Sequence, residues 1–331
     1  MTLFSVPEME GVPMIDKLSL AGLVPVIKVE DAQDAVPLCA ALKRGGLPVA
    51  EITFRTPAAE EAIQLVHEAL PDVLLGAGTV LSVSQADAAI KAGAGYLVTP
   101  GMNPEVLRHA LERGYPILPG CAGPTDIETA LRMGVKAVKF FPAEALGGVK
   151  MIKALLGPYR EVGFVPTGGI NEKNLAEYLA VPQVLACGGS WMVPEDAIAG
   201  KDWERVERLT REAVRLLLGF ELRHIGLNTG NAEEMADAAR RLSFLTGWPV
   251  NQKAGGNSFV GEGFEVMNGQ GRGRNGHIAL SCNSVDRAKW HLQRRGFSFI
   301  DESGQLTGDG RFRFIYLDEE IAGFALHLIQ K

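Results

Sequence analysis

With 331 residues, 47% of them apolar and 22% charged, and a formal charge of -6, the chain has material for one large barrel or for two domains. That charge argues against a broad attraction for nucleic acid or an anionic membrane surface, and the short basic run Gly271-Arg-Gly-Arg274 reads as a solvated loop. No apolar run reaches about 18 residues and the start of the chain lacks a basic stretch followed by an apolar core, so neither a transmembrane span nor a signal peptide is expected. Cys39, Cys121, Cys187 and Cys282 are widely spaced and form no Cys-x-x-Cys pair, as befits buried thiols in a reduced cytoplasm.

From Leu23 to about Leu217 strand-like and helix-like segments alternate, the mark of a parallel α/β fold. Strands are expected at Leu23–Val29, Pro48–Phe54, Val73–Gly78, Tyr96–Thr99, Pro116–Leu118, Lys136–Phe141, Phe164–Pro166 and Gln183–Cys187. Between them Asp31 precedes a helix over Ala32–Leu42, Thr56-Pro57 opens Ala58–Leu70, and Ser82 opens Val83–Ala92. Asn103-Pro104 opens Glu105–Arg113, Thr125 caps Asp126–Met133, and Asn171 caps Glu172–Leu179. A last helix, Trp203–Leu218, carries an apolar stripe of Val206, Leu209, Ala213, Leu216 and Leu217. Eight strand–helix units in about 200 residues predict a (β/α)8 TIM barrel over residues 12–218, with a doubly wound open sheet as the alternative. No Gly-x-Gly-x-x-Gly follows the first strand, so dinucleotide binding has no support.

The polar residues that break this pattern fall toward the carboxyl ends of the strands, where barrel active sites lie. In the strand ending Val138-Lys-Phe-Phe-Pro142, Lys139 interrupts a segment that should be apolar on both faces. Burial there disfavours an ammonium and leaves neutral amine able to attack a carbonyl, whereas a structural lysine would snorkel out or pair with a carboxylate. In the second strand Glu51, Thr53 and Arg55 share one face, costly on a central strand unless they line a site or form an ion pair. The third strand ends Gly76-Ala-Gly-Thr79, where small residues admit a ligand and Thr79 offers a hydroxyl. The seventh ends Pro166-Thr-Gly-Gly-Ile170 and the eighth Gly188-Gly-Ser-Trp191, the two places where barrels hold phosphate on free backbone N–H groups. An amine, a carboxylate, a cation and an anion cradle together suit a lysine that forms a Schiff base with a 2-keto acid carrying a distal phosphate.

At these residues the chain resembles a known family. Glu-Ile-Thr-Phe-Arg-Thr (51–56), Gly-Ala-Gly-Thr-Val-Leu (76–81), Val-Lys-Phe-Phe-Pro-Ala-Glu (138–144), Pro-Thr-Gly-Gly-Ile (166–170) and Gly-Gly-Ser-Trp (188–191) are similar, in order, to the 2-keto-3-deoxy-6-phosphogluconate (KDPG) and 4-hydroxy-2-oxoglutarate aldolases. The resemblance implies a cytoplasmic class I aldolase of Entner-Doudoroff carbohydrate metabolism. It would split KDPG into pyruvate and glyceraldehyde 3-phosphate, use no cofactor beyond its covalent Schiff base, and act as a homotrimer. It implies Lys139 as the Schiff-base lysine and Glu51 as general acid/base through a bound water. Arg55 and Thr79 would hold the pyruvyl carboxylate, Pro100 and Phe141 would shape the keto-acid pocket, and Thr167, Gly168, Gly169, Gly189 and Ser190 would take the phosphate end. Phe54 stands where the family often has Leu, and Gly123 where a Thr is common, which would loosen contacts to the substrate's middle hydroxyls.

Beyond Gly219 the pattern changes. Leu222–Thr229, Ala232–Leu245, Val250–Gln252, Asn257–Gly261 and Gly263–Met267 read as strand, helix and three strands. His277–Cys282, Val285–Arg295, Phe297–Asp301, Arg311–Leu317 and Phe324–Ile329 repeat that order, and His224-Ile-Gly-Leu is echoed by His277-Ile-Ala-Leu. An α+β domain of paired βαβββ modules over residues 221–331 resembles the glyoxalase/dioxygenase (vicinal oxygen chelate) superfamily. That resemblance implies a divalent metal on His224, Glu265, His277 and His327, a set suited to Zn²⁺, Fe²⁺, Ni²⁺ or Mn²⁺, although the last position is more often Glu. A metal-free module that binds ligand or drives oligomerisation is the alternative. His67, His109 and His291 are expected at the surface.

Overall fold

The computed structural model describes residues 11–252 and 256–331; the start of the chain, read above for a leader, lies outside them. Two compact units divide the chain, one ending at Leu217 and the other running from Leu218 to Lys331. The first unit begins with α1 (Met14–Ala21), β1 (Leu23–Ile27), α2 (Ala35–Arg44), β2 (Val49–Thr53), α3 (Ala59–Ala69), β3 (Leu74–Gly78), α4 (Val83–Lys91), β4 (Tyr96–Val98) and α5 (Pro104–Glu112). It continues through β5 (Ile117–Leu118), β6 (Gly120–Cys121), α6 (Pro124–Arg132), β7 (Ala137–Phe140), α7 (Gly148–Leu155), β8 (Gly163–Pro166), α8 (Leu175–Leu179), β9 (Cys187–Gly189), α9 (Glu195–Ala199) and α10 (Trp203–Leu218).

All strand pairs of this unit are parallel, and they run round a (β/α)8-like barrel. One sheet has the order β5-β4-β3-β2-β1-β9 and the other β6-β7-β8. Pro119 separates β5 from β6, and its carbonyl accepts the Lys139 N–H, so the wall continues across the break. Single bridges, Phe164 to Val184 and Thr167 to Gly188, join β8 to the segment of β9 and close the ring. The eighth strand therefore lies later than Gln183–Cys187. Within that stretch Val184 bridges Phe164, but the ladder begins only at its last residue, with Cys187, Gly188 and Gly189 paired to Leu23, Val24 and Pro25. Phe140 and Phe164 meet edge to face in the buried interior, their centroids 6.3 Å apart.

Local capping explains several helix starts. The Ser82 side chain accepts from Gln85 N–H, Asn103 accepts from Glu105 and Val106, and Asp31 accepts from Gln33 at a short 3₁₀ turn that leads into α2. Three expected starts shift. Thr125 does not cap α6: Pro124, suited to a first turn, begins the helix, and Gly123 holds the cap position without a side-chain bond. The Thr56 hydroxyl donates to the Val29 carbonyl instead of opening α3, which starts at Ala59. Asn171 accepts from Lys173 N–H, but its turn precedes α8. On α10 the buried stripe is Val206, Thr210, Ala213, Val214 and Leu217, whereas Leu216 is exposed. Gly45 comes so close to Thr210 that a Cβ on it would lie 2.6 Å from the threonine's Cβ, which favours a compact side chain on that face.

The second unit comprises β10 (Glu221–Leu227), α11 (Ala232–Thr246), β11 (Val250–Gln252), β12 (Ser258–Val260), β13 (Phe264–Val266), β14 (Gly276–Cys282), α12 (Val285–Gln293), β15 (Phe299–Leu306), β16 (Phe312–Ile321) and β17 (Phe324–Gln330). Its strands form one sheet in the order β11-β12-β13-β10-β14-β17-β16-β15. Met235 and Ala239 of α11 pack on Val260 and Val266. His291 is not a surface residue: it is buried on α12, its ring 4.7 Å from that of Trp290. All four cysteines are free and buried, and burial pushes the thiols of Cys39, Cys121 and Cys282 up to about 12, leaving them inert.

Gly76 of β3 has no room for a side chain, since a Cβ there would lie 2.2 Å from the buried ring of Tyr96. Gly76→Ala is expected to destabilise the barrel by about 1–3 kcal/mol through overpacking, read as a lower denaturant midpoint with an unchanged slope.

Candidate active site and candidate metal centre

Glu51 and Lys139 stand on β2 and β7, remote in the chain, yet Lys139 Nζ lies 3.0 Å from Glu51 Oε1. Lys139 is 4% exposed and Glu51 3%, so both charged groups are largely withdrawn from bulk water. The structural alternative for Lys139, pairing with a carboxylate, and the chemical one thus rest on the same contact. A carboxylate within hydrogen-bond reach of an amine can take up the proton that the amine sheds before it attacks. The Phe141 ring centroid lies 5.6 Å from Lys139 Nζ and forms an apolar wall beside it.

The glycines of β3 make room for this arrangement, not for a ligand as such. A Cβ on Gly78 would lie 2.2 Å from Glu51 Oε1, and Gly76 accommodates Tyr96. Thr79 follows with φ 56°, and its Oγ1 accepts from Arg55 Nε at 3.3 Å. Arg55 lies past the end of β2 and is exposed. Thr53, on the Glu51 face, is spent on structure, its hydroxyl donating to the Ile27 carbonyl at 2.8 Å. Pro100 backs onto Gly120 so closely that a Cβ there would lie 2.3 Å from its carbonyl carbon.

At the other end of the site Gly168 and Gly169 adopt φ 99° and 84°, open to glycine and strained for other residues. Their carbonyl side is tied down: Glu144 N–H donates to the Gly168 carbonyl and Ala143 N–H to that of Thr167. Among the described residues the N–H groups of Gly168, Gly169 and Ser190 donate to no protein acceptor, which leaves them available to an anion. Gly188 and Gly189 have a second use, because Cβ atoms there would strike Thr167 Oγ1 and the Trp191 ring. Sequence reasoning missed the brace under this loop. The Tyr178 hydroxyl donates to Glu144 Oε1, and burial followed by that carboxylate holds the phenol well above its usual range. The signal for it was the Glu144 of the motif itself, whose partner is remote in the chain.

In the second unit the strand register assembles the candidate metal ligands. Gly226 of β10 stands opposite both Glu265 on β13 and His277 on β14, while Ala279 stands opposite both His224 and His327. The four side chains converge. His224 Nε2 is 3.0 Å from His277 Nε2, and each lies 3.3 Å from Glu265 Oε2; the ligand atoms of His224, His277 and His327 all fall within 4.8 Å of one another. Ligands about 2.1 Å from one ion and at right angles stand about 3 Å apart, so this spacing fits a divalent transition metal. Burial, then the neighbouring His277 and His224, press His327 down to about 3, which leaves a neutral ring with a lone pair to give. Burial raises the Glu265 carboxyl, but hydrogen bonds from His224, His277 and Asn257 outweigh that and hold it well below the usual carboxylate range. Asn257, 2.8 Å from Glu265 Oε1, was not singled out from the sequence.

The Glu51–Lys139 pair yields a stability prediction. Glu51→Leu leaves a buried amine without its carboxylate and is expected to cost about 3 kcal/mol or more, whereas Glu51→Leu combined with Lys139→Met recovers most of it. A double-mutant cycle in chemical denaturation measures the difference.

The sequence model described as KDPG and KHG aldolase matches residues 14–209. The chain is 51% identical to the 2-dehydro-3-deoxy-phosphogluconate aldolase of Treponema pallidum across 206 residues, 62% of this chain and 98% of that protein. It is 43% identical to the KHG/KDPG aldolase of Escherichia coli across 60% of this chain and 92% of that one. Among solved structures, the KDPG aldolase from Legionella pneumophila, with pyruvate captured as a covalent carbinolamine intermediate, superimposes with a TM-score of 0.59 at 40% identity. It covers 61% of this chain and 98% of its own. Its fold, its ordered motifs and these likenesses place this chain, through residues 14–209, in the KDPG and KHG aldolase family.

Proposed function

We propose that the barrel is a class I aldolase, a carbon–carbon lyase that cleaves KDPG to pyruvate and glyceraldehyde 3-phosphate and 4-hydroxy-2-oxoglutarate to pyruvate and glyoxylate. The observation that carries this reading is the buried contact of Lys139 Nζ with Glu51 Oε1. Lys139 attacks the C2 carbonyl, and the carbinolamine loses water to give the iminium. Glu51, through a bound water, takes the proton of the C4 hydroxyl; the C3–C4 bond breaks and its electron pair moves into the iminium as an enamine. The aldehyde departs, the enamine is reprotonated at C3, and water releases pyruvate and the free lysine. Arg55 and Thr79 hold the keto-acid carboxylate, Pro100 and Phe141 shape its pocket, and Thr167, Gly168, Gly169, Gly189 and Ser190 receive the phosphate. No metal or organic cofactor enters these steps. The family resemblance also supports a homotrimer in the cytoplasm; no helix among the described residues is long and apolar enough to cross a membrane.

Pyruvate followed by borohydride should add the mass of a reduced pyruvyl adduct at Lys139. An unmodified Lys139 under those conditions would defeat the mechanism. Glu51→Gln is expected to lower kcat for both substrates by about 10²–10⁴ while leaving the protein folded.

A second reading concerns residues 221–331, whose order of strand, helix and three strands, then the same again, supports paired βαβββ modules of the glyoxalase/dioxygenase kind. We read His224, Glu265, His277 and His327 as ligands of a divalent transition metal. When bound it would act as a Lewis acid toward ligand oxygens, as in a metal-dependent isomerase, lyase or dioxygenase. Elemental analysis of protein purified without chelators should find about one ion per chain, and His277→Ala should lose it while the aldolase activity persists. Absence of metal after reconstitution would leave the module a binding or oligomerisation device.

A further inference from the structure

The walls of the histidine cluster are aromatic. Phe259 meets His224 edge-on at 5.6 Å between centroids, and Phe314 and Tyr316 lie 4.5 and 5.1 Å from His327. Beside them stands one cation: the guanidinium carbon of Arg272 lies 4.9 Å from the Tyr316 ring centroid. Arg272 is exposed, and among the described residues it makes no ion pair and no hydrogen bond.

Its placement is built. The loop between β13 and β14 is pinned on both sides of Arg272 by one side chain, since Asn228 Oδ1 accepts from Gly271 N–H at 2.9 Å and Asn228 Nδ2 donates to the Gly273 carbonyl at 2.8 Å. Gln270 Nε2 donates to that same carbonyl. Gly273, at φ 77°, runs so close to the sheet that a Cβ would lie 2.1 Å from the Gly276 carbonyl oxygen. The clamp holds the guanidinium over the ring. A cation–π contact at that distance uses none of the guanidinium's N–H donors, which can then take a carboxylate in a fork. Charge points the same way. The carboxylate at the cluster, Glu265, is engaged by two imidazoles and Asn257, so a divalent ion there would leave the site net positive, with Arg272 adding a further uncompensated charge.

We infer that this site binds a small organic acid whose donor oxygen reaches the metal while its carboxylate is forked by Arg272 above the Tyr316 ring. The inference rests on the metal reading of His224, Glu265, His277 and His327 and names the class of ligand for it, an oxo or hydroxy acid carrying a carboxylate apart from its metal-binding oxygen. Neutral carbonyl compounds of the same size would bind weakly.

Cobalt(II) tests it on the full-length chain, because d–d absorption reports only on the metal and is blind to keto acids held in the barrel. The cobalt-loaded protein, dialysed to one equivalent, is titrated with 2-oxoglutarate and with its neutral dimethyl ester. 2-Oxoglutarate is expected to change the spectrum saturably. Arg272→Ala should raise its Kd tenfold or more and Arg272→Lys by less, while both variants keep the wild-type cobalt affinity. The ester should bind weakly and equally to wild type and Arg272→Ala. If cobalt binds but 2-oxoglutarate leaves the spectrum unchanged, or binds Arg272→Ala as it does wild type, the inference is overturned and the metal reading stands. If cobalt gives no d–d spectrum that His277→Ala abolishes, the metal reading fails and the inference falls with it.

Discussion

The contact that constrains the barrel's interior, and on which the proposed aldolase chemistry rests, is the 3.0 Å approach of Lys139 to Glu51. Neither group would tolerate its burial alone. An amine without its carboxylate, or a carboxylate without its amine, would carry an uncompensated desolvation cost of several kcal/mol. Together they are a paired donor and acceptor that a substrate carbonyl can enter. The cost of holding them there is met by the surrounding wall of strands, whose backbone groups are satisfied by parallel ladders and whose side chains, such as Phe140 and Phe164, fill the interior.

Much of the neighbouring composition follows from that contact. Gly78 is bare because Glu51 Oε1 occupies the space where its Cβ would be, and Gly188 is bare because Thr167 occupies its own. Gly168 and Gly169 add a second reason, a left-handed backbone, and Gly169 also leaves room for the Glu144 side chain, 2.6 Å from where its Cβ would lie. The motif glycines thus fall into two sets, those that only yield space to a protein side chain and those that also hold a left-handed backbone. The Glu144–Tyr178 brace belongs with the second set, since it steadies the residue whose N–H bonds the Gly168 carbonyl.

The second unit solves a comparable problem with register. Side chains on one face of a sheet meet only if their strands pair in step. Gly226 carries no side chain of its own, and the His277 ring fills the place its Cβ would take, so the imidazole leans toward Glu265 and His224. Rings from β12 and β16 line the cluster, and Asn228 fixes the loop that brings Arg272 over Tyr316.

Periodicity and capping are local properties, which is why the sequence by itself determined the alternation of strands and helices, the starts at Ser82 and Asn103, and the change of pattern past Gly219. It also marked Lys139, Glu51, Arg55 and the Gly-Gly turns as residues out of place in a buried strand or at its end. Which residues close the ring at β9, why Leu216 faces out while Thr210 faces in, and the burial of His291 were not legible, because each depends on how closely another element approaches. Only the tertiary structure decided that Thr53 is bonded to Ile27 while Glu51 meets Lys139, that Glu144 rests on Tyr178, and that Arg272 stands over Tyr316. These contacts join residues far apart in the chain, and no local spacing specifies a distance that strand pairing alone sets.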